Sequence, residues 1–318
     1  MRHLWIGTFV LLAMLSLPPR VGLGADAPSH ERIEDVIYGR KHGIALTMDV
    51  FKPREGAHGT GVIYVVSGGW YSAHEAINPE VFGELLKRGY TVFAVVHGSQ
   101  PKFTIPEIIE DMHRSVRYIR HHAERFGIKP DRLGITGGSA GGHLSLMMGL
   151  AGRPGNPEAK DPVDREPSGV QAVACFFPPT DFLNYGQTGR DLFKALEEEL
   201  APFKAPFDFQ EFDTQTRQFV LIRDLDRRRE IAREISPVAH VTPDDPPTLI
   251  AHGNADTLVP IQQAEVVLEK LRTAGVPTRL VTREGQGHGW ANWTADVAIF
   301  ADWFDQHLRG QSGEQSTR

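Results

Sequence analysis

Seven short apolar runs, each four to seven residues long, recur through the chain with helix-patterned segments between most of them. They are Ala45–Val50, Gly61–Val66, Tyr90–Val96, Leu133–Thr136, Ala172–Phe176, Thr248–His252 and Thr278–Val281. Each is rich in β-branched residues and most are bounded by Gly or Pro, which is the signature of a strand buried on both faces. The intervening segments carry apolar residues at spacings of three and four. The clearest set is Ile109, Met112, Val116, Ile119, Ala123 and Phe126 behind the start signal Pro106. A second helix is expected from about Pro79, with Asn78 as cap and Gly89 as stop. A third carries Ile261, Ala264, Leu268 and Leu271 and stops at Gly275, and a last one places Val297, Phe300, Phe304 and Leu308 on one face. Strands that alternate with helices pair in parallel and are covered on both faces, so the pattern predicts a doubly wound, mostly parallel α/β sheet in one domain.

The rhythm breaks over 181–240. Charged helical stretches, Arg190–Leu200 and Asp224–Ile235, flank an irregular Phe- and Pro-rich piece, Ala201–Phe212, in which no strand is legible. Two readings are open: a surface insertion that only lengthens a connection, or a small helical cap over a site. At the N-terminus, Arg2 and His3 precede an almost wholly apolar run from Leu4 to Leu17, and small residues follow at Gly22, Gly24 and Ala25. That is the pattern of a signal peptide over 1–24 and predicts a secreted or periplasmic protein. The run falls short of the roughly 20 residues a spanning helix needs, so no stable membrane insertion is expected after cleavage. The domain is expected over 25–310 and a disordered tail over 311–318.

Charge and cysteine content narrow the partners. Lys and Arg number 34 against 40 Asp and Glu, a net charge of −6, and loss of Arg2 and Arg20 with the leader makes it −8. A nucleic-acid partner is therefore not expected, because phosphate neutralisation needs a basic surplus. Cys175 is the sole cysteine and lies within the run Ala172–Phe177, where it reads as core packing.

Chemistry concentrates in Arg132–His143, Arg-Leu-Gly-Ile-Thr-Gly-Gly-Ser-Ala-Gly-Gly-His. A strand turns here through Gly137-Gly138-Ser139-Ala140-Gly141 into a helix, a G-x-S-x-G elbow. Such a turn holds Ser139 in strained exposure above the sheet at a helix N-terminus, where developing negative charge is favoured. A phosphate loop is excluded because His143 stands where the Lys would be. Partners follow in the order Ser, Asp, His. Asp256, in His252-Gly-Asn-Ala-Asp-Thr-Leu-Val-Pro260, is the candidate acid, and its rival reading is a turn residue before Pro260. His288, in Gly285-Gln-Gly-His-Gly-Trp290, is the candidate base. His143 and His252 compete for that role but fit the chain order less well. Oxyanion donors are expected from the N–H groups of Ala140 and of Gly68 and Gly69 in Val65-Val-Ser-Gly-Gly-Trp-Tyr71, a segment that otherwise reads as a tight turn. Trp70 and Trp290 are candidate substrate contacts, with plain packing as the alternative.

On these residues the chain resembles the α/β-hydrolase superfamily, in the branch that holds hormone-sensitive-lipase-like esterases and secreted acetyl-xylan and feruloyl esterases. The resemblance runs from about Leu46-Thr-Met-Asp-Val-Phe-Lys-Pro53 to Trp290. Phe126-Gly-Ile-Lys-Pro-Asp-Arg-Leu-Gly134 and Ser236-Pro-Val-Ala-His-Val-Thr-Pro-Asp-Asp-Pro-Pro247 are its most specific parts. It implies a serine ester hydrolase with Ser139 as nucleophile, Asp256 as orienting acid and His288 as base. It implies small-molecule or glycan esters as substrates, acetyl or feruloyl groups among them, with no metal and no organic cofactor. Relatives often carry His-Gly-Gly-Gly-Trp where this chain has Val66-Ser-Gly-Gly-Trp70, so a polar side chain of the donor loop is missing. Two other functions share parts of the pattern: a serine exopeptidase of the prolyl-oligopeptidase type, which usually bears a propeller domain, and a non-catalytic binding protein on a hydrolase scaffold, which commonly lacks a triad member.

Overall fold

The computed structural model describes residues 29–197 and 200–309. The leader expected over 1–24 and the tail over 311–318 lie outside the described residues. Among the described residues, ten strands and eight α-helices follow one another. Strands β1 (His30–Lys41), β2 (Ile44–Pro53) and β3 (Gly61–Val66) precede the short helix α1 (Gly83–Lys87), and β4 (Thr91–Val96) follows it. Helices α2 (Ile105–His121) and α3 (Ala123–Phe126) lead to β5 (Leu133–Thr136), α4 (Ala140–Leu150) and β6 (Ala172–Phe176). The insertion holds α5 (Leu192–Glu197), β7 (Gln210–Asp213), β8 (Gln218–Leu221) and α6 (Leu225–Glu234). The chain closes with β9 (Thr248–Gly253), α7 (Gln262–Thr273), β10 (Thr278–Arg283) and α8 (Val297–Leu308).

Eight strands form one sheet in the order β1-β2-β4-β3-β5-β6-β9-β10. From β4 to β10 every pairing is parallel, and β2 joins β4 antiparallel with β1 outside it. Every residue of β5, β6 and β9 is buried, as expected of strands covered on both sides. One core layer packs α2, α4 and α7 against the sheet through Met112, Val116, Leu144 and Leu268. The other packs α1 and α8 through Leu85, Phe300 and Phe304. This is the doubly wound, mostly parallel sheet that the alternation predicts, in the α/β-hydrolase form that the resemblance implies.

The Asn78 cap opens a 3-10 turn over Pro79–Phe82 and the α-helix proper begins at Gly83, while the helix expected through Phe126 ends at His121 and restarts at Ala123. The Asn78 side chain accepts from the Glu80 N–H at 3.0 Å, and the Glu107 carboxylate accepts from the Thr104 N–H at 2.8 Å, closing the first turn of α2. Cys175 is buried, and burial pushes its thiol up out of the physiological range.

Two further features differ from the sequence reading. The edge strand β1 was not anticipated, because its segment His-Glu-Arg-Ile-Glu-Asp is mostly polar and the register slips between Ile33 and Val36, where Asp35 adopts a φ of 52°. In the insertion, β7 and β8 pair as an antiparallel hairpin where no strand was legible. Phe212, Phe219, Val220 and Leu221 are all exposed, so no alternation of buried and polar residues marks it.

Candidate active site

The three parallel strands β5, β9 and β10 each end at the same edge of the sheet, and the loops beyond their C-terminal ends carry the candidate residues. Between β5 and α4 the backbone turns sharply. Ser139 sits at φ 54° and ψ −119°, a conformation that costs a non-glycine residue on the order of 1–3 kcal/mol. The turn is tight enough that a Cβ on Gly137 would stand 2.6 Å from the Gly141 carbonyl carbon. A Cβ on Gly141 would stand 2.9 Å from the Val65 carbonyl oxygen, so both flanking positions require glycine. The Ser139 N–H donates to the Phe176 carbonyl at 3.0 Å and the Phe176 N–H donates to Gly137 at 3.0 Å. The elbow is thereby clamped to β6.

The loop after β9 brings Asp256 to the same edge. Its Oδ1 accepts from the Leu258 and Val259 N–H groups at 3.0 and 2.9 Å. Asp256 thus forms the turn through Oδ1 and keeps Oδ2 for the candidate base, so the two readings that the sequence set as rivals are compatible. Oδ2 lies 2.7 Å from His288 Nδ1, and His288 Nε2 lies 2.9 Å from Ser139 Oγ. The Asp256 side chain is fully buried. Burial alone would raise its pKa, but the hydrogen bonds from His252 and His288 and from the Val259 N–H outweigh it and hold the carboxyl well below the usual carboxylate range. A permanently ionised Asp256 fixes the imidazole tautomer with its proton on Nδ1, leaving Nε2 to accept from the Ser139 hydroxyl. The two loops are stitched together, since Ala255 N–H donates to Gln286 at 2.9 Å and Gly285 N–H donates to the Asn254 side chain at 2.7 Å. Phe177 packs against the His288 ring with centroids 4.5 Å apart.

The rival histidines occupy other places. His143, fully buried on α4, accepts from the Trp70 indole N–H at 3.2 Å and donates through Nε2 to the Ile235 carbonyl at 2.7 Å. Burial holds its pKa down at about 4, so it is neutral. His252 stands behind the acid, with Nε2 donating to the Val259 carbonyl at 2.8 Å and 3.4 Å from Asp256 Oδ2.

The donor loop after β3 corrects one expectation. The Gly68 N–H donates to the Tyr71 carbonyl at 3.0 Å, closing a narrow turn, and is therefore not free for an oxyanion. Gly69 and Trp70 follow with φ of 55° and 58°. Among the described residues neither the Gly69 nor the Ala140 N–H has a backbone acceptor, so both are available to an oxyanion. Trp70 lines the cavity beside Ser139, but Trp290 does not. The Trp290 indole donates to Asp296 at 3.0 Å and its ring packs on Phe176 and Phe177, so it braces the His288 loop from outside.

The cavity itself, about 40 Å³, was not foreseen in shape. Trp70, Ser139, Leu196, Phe203 and Phe207 are among its walls, and no charged residue lines it among the described residues. Phe203 comes from the insertion, and its ring carbons lie 3.2 Å from where a Cβ on Gly69 would be. The insertion therefore roofs the site. Elsewhere, donor atoms of Glu34, Asp49 and His74 lie within 4.8 Å of one another. Asp49 is already bound by the Arg32 guanidinium at 2.8 Å, which compensates its charge without a metal.

The family model BD-FAE matches residues 48–271, a span that contains Ser139 and Asp256. The chain belongs to the BD-FAE family. Among curated proteins this BD-FAE member is 29% identical to the probable carboxylic ester hydrolase LipM of Mycobacterium tuberculosis, over 75% of this chain and 51% of that protein. It is 28% identical to the esterase LipC of the same organism, over 72% of this chain and 52% of that one. The chain thus spans about half the length of the curated relatives it matches. Among solved structures it resembles a truncated carbohydrate esterase from gut microbiota, with a TM-score of 0.66 at 23% identity, covering 89% of this chain and 99% of the other. It also resembles a thermophilic esterase of Thermogutta terrifontis, with a TM-score of 0.64 at 22% identity, covering 87% and 92%. Both likenesses show a shared fold.

Proposed function

We propose that this BD-FAE member is an exported serine carboxylesterase that removes short acyl groups through an acyl-enzyme. The observation that carries this reading is the unbroken line Asp256 Oδ2, His288 Nδ1, His288 Nε2 and Ser139 Oγ, with steps of 2.7 and 2.9 Å. As the Ser139 oxygen attacks an ester carbonyl, His288 takes its proton and Asp256 steadies the imidazolium. The Gly69 and Ala140 N–H groups hold the oxyanion. The tetrahedral species collapses, His288 returns the proton to the departing alcohol, and water repeats the sequence to release the acid.

The size of the cavity argues for the acyl group. Since a single water needs about 10–15 Å³ on the same measure, a cavity of about 40 Å³ favours an acetyl or propionyl group over a hydroxycinnamoyl one. The absence of charge among its described walls favours an ester over a peptide, because a free amino terminus would need a buried carboxylate partner. The names of LipM and LipC support ester chemistry, and the carbohydrate esterase fold relative makes an acetylated glycan the favoured natural substrate.

Comparing p-nitrophenyl acetate, butyrate, octanoate and ferulate with an aminoacyl anilide tests the reading. The acetate ester is expected to give the highest kcat/KM, and the anilide no turnover. Phe203→Ala opens the roof and is expected to raise octanoate relative to acetate by about tenfold, within the 1–3 kcal/mol that a hydrophobic pocket commands. Highest turnover on the anilide, or an unchanged chain-length profile in Phe203→Ala, would count against it. For export, the proposal rests on the leader pattern over 1–24. Expression with that segment is expected to yield an extracytoplasmic protein whose N-terminus lies near Ala25, read by sequencing, and a cytoplasmic full-length chain would refute it.

A further inference from the structure

The donor loop 67–72 lacks a polar anchor at Val66, yet it must hold two consecutive residues, Gly69 and Trp70, at positive φ. Such a conformation persists only when its surroundings impose it. The neighbouring strand does so. β3 and β4 run parallel with Val66 opposite Val96, so the next residues, Ser67 and His97, leave the sheet side by side. His97 is buried at 3% exposure, and its Nδ1–H donates to the Gly98 carbonyl at 2.8 Å. That bond fixes the tautomer and leaves Nε2 as acceptor for the Ser67 hydroxyl at 2.8 Å. Further bonds tie the two loops along their lengths. The His97 N–H donates to Ser72 Oγ at 3.2 Å, and that hydroxyl donates to the Val66 carbonyl at 2.5 Å. The Ser72 N–H donates to Ser99 Oγ at 3.0 Å, and the Gln100 N–H donates to the Trp70 carbonyl at 3.1 Å. The His97 loop is itself fixed from below, because Asp111 accepts the Gly98 N–H at 2.9 Å and pairs with Lys41 at 2.6 Å.

We propose that His97 is the positioning residue of the oxyanion donor loop: through Ser67 it fixes the loop that presents the Gly69 N–H, so that the anchor absent at Val66 is supplied by the next strand. The role rests on the esterase reading above. It involves no contact between His97 and substrate. The geometry of the hole matters more to the tetrahedral state than to the bound ester, so loss of the anchor acts on kcat and leaves KM nearly alone. Removing a whole oxyanion donor costs about 10²–10³ in kcat, and loosening one costs less.

The test compares wild type with His97→Ala, Ser67→Ala and Ser139→Ala on p-nitrophenyl acetate. Active protein is counted by end-point titration with an organophosphate, except for Ser139→Ala, which is counted by absorbance and folded fraction. Ser67→Ala removes only a partly exposed hydroxyl and leaves His97 in the core, so it folds even if His97→Ala does not. Both anchor variants are expected to lower kcat by about 10–100-fold with KM within about twofold. The Ki of a trifluoromethyl ketone, which mimics the tetrahedral state, is expected to rise by the same factor as kcat/KM falls, while inhibition by acetate ion stays unchanged. A merely structural role would lower Tm but not split the two inhibitors. Wild-type kcat and ketone Ki in Ser67→Ala, with Ser139→Ala inactive, would overturn the positioning role alone. Full activity in Ser139→Ala would instead overturn the esterase reading on which it rests.

Discussion

Ser139→Ala is expected to lower kcat on p-nitrophenyl acetate by on the order of 10⁴–10⁶, with KM changed far less. The size follows from the geometry: one atom, Ser139 Oγ, is both the nucleophile and the proton donor to His288 at 2.9 Å. His288→Ala should cost about as much, because the two act as a unit, and Asp256→Asn somewhat less, about 10⁴, because the amide favours the wrong imidazole tautomer. Stability should move the other way in one variant. Ser139 holds a strained backbone at φ 54°, worth on the order of 1–3 kcal/mol. Glycine relieves that strain while losing about 0.5–1 kcal/mol through its freer unfolded chain. Ser139→Gly is therefore expected to be as inactive as Ser139→Ala yet more stable than it by about 1 kcal/mol, read as the urea midpoint. Equal midpoints would mean that the elbow stores no strain.

The second large effect is acid instability that sets in well above the carboxylate range. Three histidines are buried neutral. Burial, with Lys41 adding to it, holds His97 at about 4, and burial alone holds His143 at about 4. Burial, with Arg153 and Arg117 adding to it, holds His113 at about 3. Unfolded histidine titrates near 6.5, so between 6.5 and 4 the unfolded chain takes up protons that the folded chain refuses. The sign is therefore fixed: stability is full above about pH 6.5 and falls as pH drops. By pH 4 each of the three costs about 3 kcal/mol, and together they match the 5–15 kcal/mol net stability of an ordinary domain. Tm is expected to decline steadily from pH 7 to 5, with acid unfolding complete near pH 4. His113→Asn keeps a polar atom facing Ser168, which lies 2.8 Å from Nδ1, but does not titrate. Its loss of stability between pH 7 and 5 is expected to be smaller than that of wild type. A flat Tm from pH 7 to 5 would contradict the account.

The residues that were legible in the sequence were those whose constraint is local. The elbow around Ser139 declares itself because glycine is sterically required at 137 and 141, and Asp256 and His288 because each sits just past a strand in the required order. Contacts between distant segments were not legible. Nothing near Val66 shows that His97, thirty residues on from Ser67, meets that serine, because the meeting depends on the register of β3 with β4. The same holds for Gly68, whose N–H is lost to a turn with Tyr71, and for Phe203, which reaches the site only once the insertion folds over Gly69. The edge strand β1 and the hairpin β7–β8 escaped for a different reason. The hairpin is exposed along both strands, so burial imposes no pattern on it, whereas β1 buries only Val36 and Tyr38 and its register slips on either side of them.

The central claim is that Ser139 is the activated nucleophile of this chain. Intact-mass and peptide analysis after incubation with paraoxon tests it most directly. The account predicts one diethylphosphoryl adduct per chain, on the peptide containing Ser139, formed in step with the loss of ester hydrolysis and slowed at least a hundredfold in His288→Ala. Complete inactivation with the adduct on another residue, or full labelling of Ser139 with hydrolysis undiminished, would contradict it.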